Sequence, residues 1–292
     1  MKLKKNHWLL YALITTLFWG VWGAFSEIPK NEGFPGTLIY VVWSITMIVP
    51  ALFALANINW KLEHDKKSIL YGSLIGFLGA GGQLALFIGA IENGPAYLIF
   101  PIISMSPVVT ILLSYFLLRE TTSRRGWLGV ILAVIAIPLL SYQDPESPVQ
   151  SLLWLPFALM VLFAWGFQAY FMKHANEFMK AESIFFYMAL TGLILAPIAY
   201  FMTDFSQPIN MGFKGPYLSF GIQILNSIGA LTLVFAFRYG KAIIVSPMVN
   251  AVAPVVTVII SLLIYMVVPH PVIISGMVLA IIAITLLSFE EA

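Results

Sequence analysis

The stretch AIIVSPMVNAVAPVVTVIISLLIYMVV, residues 242–268, carries no charged side chain over its whole length. Comparable apolar runs, each near 20 residues, follow one another along almost the entire chain. About 20 apolar residues in a helix cross the hydrocarbon core of a bilayer, so each run is read as a span. Only 10% of the residues are charged and 60% are hydrophobic, against about 25% charged in an ordinary soluble domain. A soluble fold of 292 residues has no interior large enough to hide that apolar surface from water. Membrane-barrel strands are about ten residues long and alternate polar with apolar, whereas these runs are longer and apolar on all sides. The expected class is an all-α polytopic membrane protein.

Reading the runs between polar breaks gives ten candidate transmembrane helices, near 8–26, 36–56, 68–91, 95–118, 124–142, 150–173, 182–203, 215–237, 242–267 and 271–289. The first has basic flanks but no small-residue cleavage site after it, so it reads as a retained helix. Basic residues mark the cytoplasmic side of a membrane protein. With an internal N-terminus, 13 of the 15 Lys and Arg fall in inner segments, and only Lys30 and Lys214 fall outside. That split predicts a multi-pass protein of the cytoplasmic membrane with both termini cytoplasmic. Acidic residues gather in the outer loops, which solvates them and controls topology; attraction of a cationic solute is the alternative. The basic residues form scattered short loops rather than one stripe, so nucleic acid is not an expected partner. Without cysteine, disulfides, thiolate metal sites and thiol catalysis are excluded.

The chain also repeats itself. WGVWGAF at 19–25 aligns with WGFQAYF at 165–171, an offset of 146, and Gly94, Ala96 and Pro101 match Gly240, Ala242 and Pro247 at that offset. PVVT at 107–110 matches PVVT at 254–257 after a one-residue insertion, and GVILAVIAIPLLS at 129–141 matches GMVLAIIAITLLS at 276–288. The collinear order of these matches predicts a first five-helix repeat over 1–142, a linker over 143–149 and a second five-helix repeat over 150–292. Five is odd, so the second copy starts on the opposite side of the membrane, which makes an inverted-topology repeat. Such repeats are a mark of transporters, because exchanging the conformations of two similar halves turns an outward state into an inward one.

Each unit carries a pair of prolines inside its fourth span, Pro101 with Pro107 and Pro247 with Pro254. Helices interrupted at corresponding positions of two halves point to a binding site at the midplane. Proline removes a helix hydrogen bond, and the freed carbonyls need a neighbour, water or a ligand. The kinks also permit bending during gating. The alternative is that these prolines only shape packing.

These features resemble the EamA-like branch of the drug/metabolite transporter superfamily. The resemblance rests on residues 85–141 and their counterpart through 288. It includes a small-residue turn (Gly94–Ala96), a proline-bearing fourth helix, Glu120 just after it, and a fifth helix with Gly126 and Gly129. The second unit repeats the turn at Gly240–Ala242, but VVPHP at 267–271 has no matching Glu. The resemblance implies a secondary carrier with a central cavity between the halves, lined mainly by helices 1–4 and 6–9, with helices 5 and 10 peripheral.

Polar residues deep in a span must find partners away from water. No Asp, Glu, Lys or Arg falls near the middle of any span; proton coupling through Glu27 or Glu92 is open, an interfacial cap being the plainer role. The neutral set is richer: Gln83, Ser104 and Ser106, Gln168, Gln223 and Asn226, and Asn250 and Thr257. Asn250 aligns with Ser104 between the prolines of each pair. Substrate contact is expected at Asn250, Gln83, Gln168, Asn226 and Ser104, although helix-to-helix hydrogen bonding accounts for any one of them. Trp19 and Trp165 are repeat-equivalent and lie well inside their spans. With Trp22, Trp43, Tyr97 and Tyr170 they make aromatic walls for a flat or partly apolar solute, or for a cation; core packing is the competing role. Gly72, Gly76 and Gly79 share one helix face, which reads as close helix packing. No two histidines have metal-ligand spacing, and no Walker A, hydrolase or metalloprotease pattern is present, so neither cofactor, metal nor enzyme chemistry is expected.

The expected function is alternating-access transport of one small organic solute, with export favoured. A site without buried charge suits an amino-acid-like metabolite or another neutral or zwitterionic compound. A sugar or nucleobase uptake carrier and a channel-like facilitator are the alternatives.

Overall fold

A computed structural model describes residues 7–86, 99, 102–142, 152–265 and 269–290. Among them there are only helices and connections, with no strand. In chain order the helices are α1 (His7–Phe25), α2 (Ile28–Asn31), α3 (Gly36–Thr46), α4 (Ile48–Asn57), α5 (Lys66–Ala85), α6 (Ser106–Leu117), α7 (Arg124–Leu140), α8 (Trp154–Ala175), α9 (Ala181–Phe201), α10 (Leu218–Tyr239), α11 (Ala242–Tyr265) and α12 (Pro271–Leu287). A π-type turn at Phe213–Tyr217 leads into α10. Among the described residues, seven stretches are long and apolar enough to cross a membrane, and Ser106–Leu117 and Pro271–Leu287 are shorter apolar helices. Large apolar side chains stand exposed around the bundle, among them Leu17, Phe53, Phe77, Phe116, Ile194 and Leu263. Such a surface suits lipid and not water, so this is a multi-pass membrane protein.

Local chemistry sets the helix ends. The Asp65 carboxylate accepts from the Lys67 and Ser68 N–H groups at 3.0 and 3.1 Å and so caps α5. The Ser123 hydroxyl caps α7 through the Gly126 N–H. The span expected at 36–56 is divided at Met47 into α3 and α4. Pro50 has no N–H to donate to the Thr46 carbonyl, so the helical ladder lacks a rung at that point.

The described proline positions behave differently in the two units. Before α6 the chain turns at Ser104–Met105, held by Met105 N–H to Ile102 O and Val108 N–H to Met105 O, both three residues back. Pro107 sits in the first turn of α6, where its missing N–H costs nothing. The second unit departs from the expected interruption: α11 runs through both Pro247 and Pro254 without a break. There the Asn250 amide donates to Ser246 O at 2.9 Å and braces the turn between the prolines. Its counterpart Ser104 turns away and pairs with Ser141 at 3.0 Å. Pro101 and the linker 143–149 lie outside the described residues.

The core is assembled from elements of both sequence units, and its contacts come in swapped pairs. Thr257 donates from its hydroxyl to Gly20 O at 2.9 Å, joining α11 to α1. Thr110 donates to Gly166 O at 3.1 Å, joining α6 to α8. A methyl group on Gly20 would fall 3.0 Å from Ala253 O, and one on Gly166 would fall 2.9 Å from Ser106 O. Only glycine permits these close crossings. The same exchange links the α7 and α12 pair, where Gly129 meets Leu287 and Gly276 meets Leu140. The glycines of α5 pack as their shared face predicts: Gly72 and Gly76 lie against Tyr187 and Thr191 of α9, and Gly79 lies against Gln168 of α8.

Candidate functional site

A cavity of about 270 Å³ lies within the bundle, between elements of the two units. Its walls come from α1, α3, α5, α6, α8, α9, α10 and α11, with Met47 at the α3–α4 break. The family resemblance implied a cavity between such helices with the fifth of each unit peripheral; α7 and α12 supply no residue of the wall.

Four indoles face the space: Trp19, Trp22, Trp43 and Trp165. Each spends its N–H on the protein. Trp19 Nε1 donates to Asn226 O at 3.1 Å and Trp165 Nε1 to Gly79 O at 3.4 Å, another swapped pair. Trp22 Nε1 donates to Gln223 Oε1 at 3.1 Å, and Trp43 Nε1 to Asn226 Oδ1 at 2.9 Å. The indoles are thereby fixed and offer a solute only ring carbons and π faces. Glycine makes room for two of them. A methyl on Gly229 would fall 2.5 Å from Trp19 Nε1, and one on Gly82 would fall 2.7 Å from Trp165 Nε1.

Polar groups in the wall are fewer and mostly uncommitted. Gln83 and Gln168 line the cavity, and neither amide has a hydrogen-bond partner among the described residues. Asn226 uses Oδ1 on Trp43 and keeps its NH₂; Asn250 uses its NH₂ on Ser246 O and keeps Oδ1. The Ser106 and Ser246 hydroxyls complete the set among the described residues. The wall therefore presents both donors and acceptors, and among the described residues no Asp, Glu, Lys or Arg lines it. These amides also break the pairing of the two units, because Gln83 matches Ala230, Asn226 matches Gly79 and Gln168 matches Trp22, all of them in the wall.

Of the residues expected from sequence to contact a solute, the structure brings Asn250, Gln83, Gln168, Asn226, Trp19 and Trp165 to one cavity. Ser104 is not in the wall, its hydroxyl being held by Ser141 at the end of α7. Tyr97 and Glu92 lie outside the described residues, and Glu27 is not in the wall. Met47, Met172, Met188 and Phe237 line the cavity without having been singled out. In a chain this apolar, one more apolar residue carries no signal.

An ion pair lies one position along the chain from the wall residue Met172. Glu120, in the α6–α7 connection, accepts from the Ile243 N–H at 3.1 Å and caps the first turn of α11. Burial pushes its carboxyl above the usual carboxylate range, against the opposing pull of Lys173 and the α11 N–H groups. Lys173 stands 3.8 Å from Glu120 Oε1 and donates to Gly240 O at 2.7 Å. No group of three or more His, Asp or Glu with metal-binding geometry occurs among the described residues.

Comparison with known proteins follows the same two-part division. The family model described as EamA-like transporter family matches residues 6–142 and again residues 152–289. An uncharacterized protein of Methanocaldococcus jannaschii is 30% identical over 138 residues, which cover 97% of that protein and 47% of this chain. Protein LicB of Haemophilus influenzae is 21% identical over 182 residues, and the match spans 61% of each chain. A solved crystal structure superposes with a TM-score of 0.77 at 16% identity, covering 97% of both chains, and shows the fold alone.

Proposed function

Because this chain belongs to the EamA-like transporter family, a family of membrane transporters for small solutes, we propose that it is a secondary carrier working by alternating access. Its machinery is two five-helix units, 1–142 and 150–292, joined by 143–149 and inserted in opposite senses as ten spans. The swapped contacts are the observation that carries this reading. Thr110 to Gly166 and Thr257 to Gly20, with Trp165 to Gly79 and Trp19 to Asn226, are the same bonds with the units exchanged. Reciprocal contacts of that kind arise around a two-fold axis. With an odd number of spans per unit, such an axis lies in the membrane plane. The half-length relative in Methanocaldococcus jannaschii is consistent with one unit existing as a chain of its own.

The solute binds among the four indoles, with Gln83, Gln168, Asn226 and Asn250 meeting its polar groups. The described wall residues carry no charged side chain, which favours a neutral or zwitterionic solute, and fixed indole faces favour one with a flat or apolar part. Amino-acid-like compounds satisfy both. The same π faces attract an organic cation, which forms a second arm of the test. Pro101, Pro107, Pro247 and Pro254 give the fourth helix of each unit its bend during gating. The protein resides in the cytoplasmic membrane with both termini inside and favours export.

The test is a melting-temperature screen of the purified protein against amino acids, sugars, nucleobases and organic cations, followed by flux in liposomes. A bound solute raises the melting temperature by mass action. Preloaded solute should then accelerate uptake of labelled solute; uptake that is indifferent to preloading and does not saturate would instead indicate a continuous pore.

A further inference from the structure

Three residues of the cavity wall, Met172, Phe237 and Ser246, lie within three chain positions of a second set, Lys173, Gly240 and Ile243. Lys173 Nζ holds the Gly240 carbonyl at the end of α10 at 2.7 Å, and Glu120 Oε2 holds the Ile243 N–H at the start of α11 at 3.1 Å. A cation thus meets a helix C-terminus and an anion a helix N-terminus, each the favoured arrangement. The two side chains face one another at 3.8 Å and are only 18% and 9% exposed. Three parts of the chain are tied here: the α6–α7 connection of the first unit, the end of α8, and the α10–α11 junction.

In the sequence, the positions that match this pair at the opposite end do not repeat its charges. By the repeat offsets of 146 and 147, Glu27 takes the place of Lys173 and Val267 that of Glu120. The two ends of an otherwise paired bundle therefore differ in charge chemistry. We propose that Glu120 and Lys173 form a latch holding the cavity closed at the end that carries the basic loops, and that the latch must part before the cavity opens there. The inference rests on the alternating-access reading and adds an energetic bias to it: the resting protein is closed at the basic end.

The absence of cysteine allows a direct test. Ser246→Cys supplies a single reporter thiol in the wall, and a membrane-impermeant maleimide is applied to vesicles of each orientation. Glu120→Gln removes the charge while keeping an amide oxygen for the Ile243 N–H, and Lys173→Met keeps the length of the stem. Each should raise labelling from the basic end about tenfold, the change that about 1.4 kcal/mol produces, and lower it from the far end. Lys173→Arg should stay near the parent rate. An unchanged rate in Lys173→Met, or one that rises equally from both ends, makes the cluster a brace and overturns the latch. If Glu120→Gln fails to insert, the Lys173 variants decide. A reporter open to both ends at once in the parent protein defeats alternating access itself, whereas one that alternates but ignores the Lys173 variants defeats only the latch.

Discussion

Gln83 and Gln168 are the cleanest places to separate binding from folding. Neither amide has a hydrogen-bond partner among the described residues, and both border open space. Truncating either to alanine removes no bond of the fold and enlarges a cavity that already exists. The unfolding free energy should therefore move by no more than about 0.5 kcal/mol, as for a surface site. A neutral hydrogen bond to the solute contributes about 0.5–1.5 kcal/mol. Gln83→Ala and Gln168→Ala should each weaken binding about fivefold at the middle of that range. The assay is the melting temperature as a function of solute concentration, using the strongest ligand from the screen; the concentration dependence yields the dissociation constant by linkage. Ser104→Ala is the control, because that hydroxyl is held by Ser141 away from the wall, and its affinity should match the parent. Unchanged affinity in both glutamine variants would refute the assignment. A drop of several degrees without ligand would show that the amides serve the fold.

Asn250→Ala deletes one side-chain bond, that to Ser246 O, so stability should fall by about 1 kcal/mol while transport drops further than that loss explains; normal flux would remove Asn250 from the site. Gly20→Ala and Gly166→Ala each drive a methyl into the partner helix and should cost about 1–3 kcal/mol through overpacking. Gly221→Ala meets nothing within 4 Å and should stabilise by up to about 1 kcal/mol through helix propensity; the same sign in all three would contradict the packing account. The Ser68 hydroxyl and N–H, bonded to Asp65, hold that carboxyl below its usual range. A pKa depressed on folding gives stability that is complete above the unfolded value and lost as pH falls through the folded one. Asp65→Ala should therefore lower the melting temperature near neutral pH, and its difference from the parent should vanish in strong acid.

The helical, membrane-spanning class was legible because span length and charge exclusion are properties of the bilayer that need no knowledge of contacts. The repeat was legible for a related reason: Trp19 and Trp165 sit at equivalent positions, and each makes the same indole bond in the fold. What the sequence left hidden is direction. Matching residues do not reveal which way they turn, and so Ser104 pairs with Ser141 while its counterpart Asn250 faces the cavity. Proline content marked the matched segments that carry α6 and α11 but not the outcome, since a brace from Asn250 accompanies an unbroken α11 and a tightened turn precedes α6. Glu120 was legible as a cap or ion pair; its partners, Lys173 and the Ile243 N–H, lie 53 and 123 positions further on, beyond any local pattern.

The most direct measurement uses two matched surface positions, His64 and Met211, which are 147 residues apart, exposed, and located before α5 and α10 respectively. In the cysteine-free chain, His64→Cys and Met211→Cys each provide one thiol for an impermeant maleimide applied to intact cells. Opposed units predict rapid labelling at position 211 and protection at position 64 until the membrane is permeabilised. Labelling of both positions from the same side would mean that the two units point the same way.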